Sequence, residues 1–145
     1  MGNISSVNKV NYLYIQNCIN TNSELILLIN TLAYDKQECL IKNSIVASNE
    51  EDVINKYLKS NKSIKIIVYG ENCIDNKVID KYNQLYKLGF INIYVYLGGI
   101  FEWLLLQDIY GDEEFPTTSK IIDILKYSGQ NNNIKTILKI NNVSI

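Results

Sequence analysis

Two short apolar segments joined by one amphipathic helix constrain the fold of this chain more than any other feature. Residues 64–69 read Ile-Lys-Ile-Ile-Val-Tyr and residues 91–97 read Ile-Asn-Ile-Tyr-Val-Tyr-Leu, without the alternation of a half-exposed strand. Strands covered on both faces of a parallel sheet have such sequences. Residues 78–88 carry apolar side chains at helical spacing, and Gly89 is suited to end that helix. Because parallel strands need a crossover connection, the pattern predicts an α/β domain with an open, mostly parallel sheet flanked by helices.

Shorter signals predict the remaining elements and the domain limits. Ser48 and Glu51 form a capping-box pattern ahead of a helix at about residues 50–60. Other patterns predict strands at residues 12–15, 25–32, 43–47 and 134–140, and helices at residues 101–109 and 119–127. The length of 145 residues indicates one domain. We expect a flexible N-terminus over residues 1–11, the domain over residues 12–115, and a C-terminal helix with an Asn-rich extension packing on it over residues 116–145.

The composition excludes several classes of chemistry. The chain has no His, and all 14 of its basic residues are lysine, so it also has no Arg. A Ser-His-Asp triad, a Cys-His pair, a His-ligated zinc ion and an arginine clamp on phosphate are therefore excluded. The net charge of -1 disfavours nucleic acid as a partner. We expect no metal and no cofactor.

The cysteines and the apolar runs predict a cytoplasmic protein. Cys18, Cys39 and Cys73 are odd in number and form no CxxC pair, and the N-terminus has no secretory signal pattern. These features fit a reducing compartment. The longest apolar runs fall far short of the roughly 20 residues that cross a bilayer.

The first six residues match an acylation pattern. Met-Gly-Asn-Ile-Ser-Ser fits M-G-x-x-x-[ST], in which removal of Met1 exposes the amine of Gly2 for myristoylation and Ser6 fills the hydroxyl position. The alternative is an unmodified, flexible terminus. One myristoyl chain binds membranes only marginally. If Gly2 is acylated, we therefore expect peripheral contact with the cytoplasmic face of a membrane.

A longer pattern resembles a known family. It consists of the apolar strand at residues 64–69, Leu-Gly-Phe at residues 88–90, Leu-Gly-Gly at residues 97–99, and Trp103. This order resembles the rhodanese superfamily, the fold of thiosulfate sulfurtransferases and of some dual-specificity phosphatases, over about residues 12–115. The resemblance implies a single rhodanese-like domain. In active members a nucleophilic Cys directly follows the strand, and backbone N–H groups of the next loop hold an anion and depress the thiol pKa.

The chain departs from that family pattern in the loop that should carry the chemistry. The equivalent loop consists of Gly70, Glu71, Asn72, Cys73, Ile74 and Asp75. Gly70 stands at the nucleophile position, and Asp75 stands where the family often has arginine. Asp75 is also expected to cap the next helix and so to occupy backbone donors that an anion would need. The carboxylates of Glu71 and Asp75 would oppose sulfate-like or phosphate-like groups and raise a thiol pKa.

Three functions remain open from these residues. The first is a non-catalytic rhodanese-like binding or scaffold module with an unknown protein partner. The second is an active sulfurtransferase or persulfide carrier that uses Cys73 as the catalytic residue, with Lys77 and the loop N–H groups replacing arginine. The third is a phosphatase, which lacks support because the chain has neither Arg nor His.

The helix at residues 101–109 bears on the partner question. Phe101, Leu104, Leu105 and Ile109 are expected to face the sheet, which leaves other large apolar side chains on further faces. A helix that is apolar on more than one side needs a second covering surface. The predicted C-terminal helix or another protein could supply it.

Overall fold

The computed structural model describes residues 7–21 and 25–129, and five parallel strands form one open sheet in the order β1-β5-β4-β2-β3. In chain order the elements are β1 (Lys9–Val10), α1 (Tyr12–Asn20), β2 (Ile26–Asn30), a first 3₁₀ helix (Tyr34–Lys36), β3 (Ser44–Ile45), α2 (Ala47–Ser60), β4 (Lys65–Tyr69), α3 (Lys77–Lys87), β5 (Ile93–Tyr96), α4 (Gly99–Tyr110) and a second 3₁₀ helix (Ile124–Tyr127). This architecture confirms the predicted α/β class and the parallel sheet flanked by helices.

The central strand β4 is buried on both faces, as its unalternating sequence predicts. Ile66 and Val68 face a core closed by α2 and α3, whereas Ile67 and Tyr69 face a core closed by α1 and α4. These four side chains are fully buried. Successive residues of a strand point to opposite faces, so a strand between two helical layers must be apolar at every position. Gly89 ends α3 with a φ of 102°, as predicted.

The prediction of a strand at residues 12–15 is wrong. These residues begin α1, whose N-cap Asn11 accepts a hydrogen bond from the N–H of Tyr14 at 3.2 Å. Ile15, Cys18 and Ile19 pack against the core at helical spacing. A short apolar run fits either element, and the first strand of the sheet is instead β1, paired with β5 at the edge.

The predicted capping box ahead of α2 is also wrong. The helix begins at Ala47, and Ser48 lies inside its first turn. The N-cap residue Val46 makes no side-chain cap bond. The N–H of Ala47 donates instead to Oε1 of Gln37 at 3.0 Å, so a residue ten positions earlier satisfies this donor.

The C-terminal α-helix predicted at residues 119–127 is absent from the described chain, where only the second 3₁₀ helix occurs. Residues 111–118 form an irregular segment, and two of its backbone carbonyls accept hydrogen bonds from side chains of α4. Nε1 of Trp103 donates to the carbonyl of Pro116 at 3.1 Å, and Nε2 of Gln107 donates to the carbonyl of Phe115 at 2.8 Å. The carbonyl of Ser119, at the start of the predicted helix, likewise accepts from Sγ of Cys39 at 3.3 Å, so the segment bonds other parts of the chain up to that point.

The buried face of α4 differs from the expected one. Ile100, Trp103, Leu104 and Gln107 are buried, whereas Leu105 and Ile109 are 40% and 70% exposed. A helix that is apolar all round gives no periodic signal for its inner face. The tertiary contacts, including the ring of Trp103 packed edge-on against Phe115, decide it.

Several predictions fall outside the described residues. These are the acylation site Gly2, most of the predicted flexible terminus, the Asn-rich extension and the strand at residues 134–140. The proposed limits of the domain stay predictions. Within the described residues, none of the helices has the length and hydrophobicity needed to cross a bilayer.

Candidate functional site

The predicted loop lies in a crevice between the carboxyl ends of β2 and β4. From β2 the chain moves to β3 on one side, and from β4 it moves through α3 to β5 on the other. The two connections thus leave in opposite directions, which makes this crevice the topological switch point where open α/β sheets bind ligands. The fold therefore places loop 70–75 where a binding site is expected.

Gly70 has no room for a side chain. A Cβ built on it would collide with Oδ2 of Asp75, and would lie 2.6 Å from Cγ2 of Val78 and 2.9 Å from Oγ1 of Thr31. Real Cβ atoms essentially never approach other heavy atoms so closely. A side chain at the position that corresponds to the family nucleophile would therefore force the side chains of Asp75, Val78 and Thr31 to shift.

The carboxylate of Asp75 occupies that space and collects hydrogen-bond donors. Its Oδ2 accepts from Oγ1 of Thr31 at 3.1 Å and from the N–H of Glu71 at 3.2 Å, and its Oδ1 accepts from the N–H of Lys77 at 3.0 Å. The residue directly before α3 is Asn76, so Asp75 is not the N-cap in the strict sense. Its carboxylate nevertheless bonds the first backbone donor of the helix, as an N-cap would.

Other loop amides bond to the loop itself. The N–H of Ile74 donates to Oδ1 of Asn72 at 3.0 Å, and the N–H of Asp75 donates to the carbonyl of Asn72 at 3.3 Å. Together with the N–H of Glu71, three amides of the loop therefore point at acceptors within it. A ligand anion would have to displace these bonds.

The charge of Glu71 is compensated by a residue that sequence reasoning missed. Its Oε1 lies 2.5 Å from Nζ of Lys36, which comes from the first 3₁₀ helix after β2. The two side chains are 22% and 32% exposed. Nothing local in the sequence signals this pair, because 35 positions separate its members. Of the two loop carboxylates identified in the sequence, Glu71 therefore has its charge balanced by Lys36.

The start of α4 fixes the loop from the other side. The N–H groups of Ile100 and Phe101 donate to the carbonyls of Gly70 at 2.9 Å and Glu71 at 2.8 Å. A Cβ on Gly99, whose φ is 67°, would lie 2.5 Å from the carbonyl oxygen of Gly70. Position 99 therefore requires glycine, both for its positive φ and for its close approach to the loop.

The chain after the second 3₁₀ helix covers part of the loop. Nδ2 of Asn72 donates to the carbonyl of Tyr127 at 2.9 Å, and a Cβ on Gly129 would lie 2.9 Å from the same nitrogen. Asn72 and Tyr127 are buried. Sequence reasoning did not identify Tyr127 as a neighbour of the loop, since no motif links the two segments.

Cys73 and Ile74 form the exposed tip of the loop. Cys73 is exposed, and the side chain of Ile74 is 65% exposed. Within the described residues, the thiol of Cys73 and Nζ of Lys77 form no hydrogen bond or ion pair with each other. Cys18 is half-buried and Cys39 is buried, and burial raises the pKa of both thiols. Steric access therefore favours Cys73 among the three thiols.

A groove of about 610 Å³ lies between α2 and α3 and adjoins the end of β2 at Thr31. Glu50 and Lys81, which line it, form an ion pair at 2.5 Å. The groove borders the crevice but contains no residue of loop 70–75. No group of three or more Cys, Asp or Glu side chains suited to a metal ion occurs in the described segments.

The parallel sheet, the loop between β4 and α3 and the Gly-Gly approach of α4 define an α/β domain with its site at the switch point. A family model described as a rhodanese-like domain matches residues 15–106. The chain therefore belongs to the rhodanese-like family, as its resemblance to that superfamily predicted.

Solved structures share this fold at low sequence identity. The BH2092 protein of Bacillus halodurans is 15% identical with a TM-score of 0.61, covering 92% of this chain and 91% of that one. The Alr3790 protein of Anabaena is 19% identical with a TM-score of 0.56, covering 88% and 93%. Ygr203w, a yeast protein tyrosine phosphatase of the rhodanese family, is 16% identical with a TM-score of 0.56, covering 84% and 99%. No curated protein matches the sequence significantly.

Proposed function

We propose that this chain is a non-catalytic rhodanese-like binding or scaffold module, which reaches the cytoplasmic face of a membrane through myristoylation of Gly2. The partner in this proposal is a protein of unknown identity. Loop 70–75 then keeps the family frame without the family reaction.

The carboxylate of Asp75 carries the proposal. It lies where the side chain of a nucleophile at position 70 would stand, and it accepts the N–H of Glu71. An internal carboxylate held by three donors competes with any sulfur oxyanion or phosphate for the same loop. This arrangement supports a loop that is closed to external anions.

A second candidate is an active sulfurtransferase or persulfide carrier using Cys73. The exposure of this thiol at the tip of the loop favours it. In that reaction the thiolate of Cys73 would take the outer sulfur of thiosulfate and release sulfite. Cyanide would then accept the sulfur as thiocyanate and restore the thiolate.

A sulfur-transfer assay decides between the two candidates. Thiosulfate-to-cyanide transfer is measured for the wild type, for Cys73→Ser and for the matched control Cys18→Ser. We expect no turnover above background in any of the three. Turnover that is lost in Cys73→Ser but kept in Cys18→Ser would refute the non-catalytic module and support the persulfide carrier.

Acylation is tested separately. Coexpression with an N-myristoyltransferase should raise the intact mass by one myristoyl group, about 210 Da, after loss of Met1. The variant Gly2→Ala, which removes the acceptor glycine, should show no such increase. An unshifted mass of the wild type would remove the lipid from the proposal without affecting the assignment of the loop.

A further inference from the structure

We propose that the end of the sheet opposite loop 70–75 binds anionic lipid bilayers. The surface consists of Lys59, Lys62, Lys87, Leu88 and Ile91 and is called the basic end below. It does not depend on whether the loop catalyses a reaction or whether Gly2 is acylated.

Two segments of the chain carry only positive charge, although the whole chain is almost neutral. Residues 53–70 contain four lysines and residues 81–101 contain two, and neither segment contains Asp or Glu. The whole chain has a formal charge of -1. Its carboxylates therefore lie in other segments, and a bilayer that met only these two segments would meet positive charge.

The fold joins the two segments at the amino edge of the sheet. The N–H of Ile91 donates to the carbonyl of Lys62 at 3.3 Å, and Nδ2 of Asn92 donates to the carbonyl of Ser63 at 3.4 Å. The side chain of Lys62 also packs over Gly89, with Nζ 3.3 Å from where a Cβ would lie. The C-terminal residues of α2 and α3 enter these turns, so lysines from two helices meet at one edge.

The basic end exposes apolar side chains among its lysines. Ile91 is 73% exposed and Leu88 is 40% exposed, while Lys59, Lys62 and Lys87 are all exposed. The ion pairs within the described residues involve other lysines. Lysines without acidic partners beside exposed apolar groups suit an anionic bilayer, because the ammonium groups meet phosphate headgroups and the apolar groups enter the interface.

The N-terminal strand starts from the same edge. β1 runs parallel to β5, and the carbonyl of Asn8 accepts the N–H of Val95 at 2.8 Å. Val7, just before it, is buried in the core. Gly2 precedes Val7 by five residues, which span at most about 17 Å when extended. A lipid on Gly2 and the basic end could therefore contact one membrane together, and the lysines would supply the second attachment that a single acyl chain needs.

Vesicle binding by the full, unacylated chain tests the proposal. Sedimentation is compared for vesicles of phosphatidylcholine alone and vesicles with about 30% phosphatidylserine, at low and high salt. A lysine near an anionic surface contributes roughly fivefold to binding. The variant Lys59→Gln/Lys62→Gln/Lys87→Gln should therefore bind the anionic vesicles about 100-fold more weakly than the wild type. The wild type should not bind the neutral vesicles.

A matched control carries the same change in net charge elsewhere. In Lys42→Gln/Lys77→Gln/Lys120→Gln three exposed lysines outside the basic end are replaced, and binding should fall by less than about threefold. Ile91→Ser should weaken binding without changing the dependence on lipid charge. All variants alter exposed side chains, so their melting temperatures should equal that of the wild type.

Three results would overturn the proposal. They are equal losses in the two triple variants, equal binding to neutral and anionic vesicles, and no binding of the wild type to either. Selective binding of the basic end to soluble polyglutamate, with no binding to vesicles, would assign the surface to an acidic protein instead.

Discussion

Substitution of Gly70 by alanine tests the packing of the candidate site directly. The added methyl group would overlap Oδ2 of Asp75 and approach Val78 and Thr31 within 3.0 Å. Overpacking of this kind costs about 1–3 kcal/mol. Displacement of the carboxylate would also weaken its bonds to Thr31 and Glu71, each of which contributes about 1.5 kcal/mol or more as a bond to a charged group. We expect Gly70→Ala to lower the free energy of unfolding by about 3 kcal/mol.

A double-mutant cycle with Asp75→Ala isolates the part of that cost that comes from the carboxylate. Asp75→Ala alone removes three hydrogen bonds from the loop and, at about 1.5 kcal/mol for each bond to the charged group, should cost about 4 kcal/mol. In the double variant the methyl group at Gly70 gains the space that the carboxylate leaves. The combined cost should therefore be about 5–6 kcal/mol rather than about 7 kcal/mol, a coupling of roughly 1–2 kcal/mol.

Urea unfolding followed by the fluorescence of Trp103 measures all four proteins. Trp103 is the only tryptophan and is fully buried, so its emission reports loss of the core. Matched m-values among the variants confirm that the cycle compares the same transition. Additive costs within about 0.5 kcal/mol, or a Gly70→Ala protein as stable as the wild type, would refute a carboxylate held in the nucleophile position.

Three further predictions follow from burial and hydrogen bonding. Cys73 should react with an alkylating reagent in the native protein while Cys39 stays protected, and mass spectrometry of labelled peptides that finds equal rates would contradict this. Burial raises the pKa of Tyr69 and Tyr96, so both stay protonated in the folded state when the unfolded residues ionise near pH 10. Their contribution to the free energy of unfolding should be constant below about pH 9 and should fall above it by up to about 1.4 kcal/mol per pH unit for each group. Tyr96→Phe should reduce that slope in alkaline urea titrations. Gln107→Leu should lower the melting temperature by about 3–8 °C, because it removes the donor to Oγ1 of Thr117 and to the carbonyl of Phe115. An unchanged temperature would contradict the buried bonds.

The βαβ unit could be predicted because its signals are local and strong. Residues 64–69 are apolar at every position, and Gly89 lies where the helix must end. The Leu-Gly-Gly part of the family resemblance likewise lies at the start of α4, where Gly99 has a positive φ. These features depend on residues that are neighbours in the chain.

The failures involve partners that are distant in the sequence. A run at residues 12–15 fits a strand or a helix, and only packing of Ile15 against the core selects the helix. Ser48 has the sequence of an N-cap, but Gln37 supplies the bond. The amphipathic pattern of α4 is nearly absent, so the contacts of Trp103 and Gln107 choose its buried face.

Some features of the candidate site follow from the sequence, and others follow only from the tertiary structure. The sequence alone placed glycine at the nucleophile position, put two carboxylates in the loop and excluded chemistry that needs His or Arg, because these are statements about which side chains are present. Only the tertiary structure brings Lys36 to Glu71, lays Asp75 over Gly70 and gathers lysines from two helices at the amino edge of the sheet. Residue identity limits which reactions are available, whereas the distances that set charge compensation and free space arise when remote segments pack together.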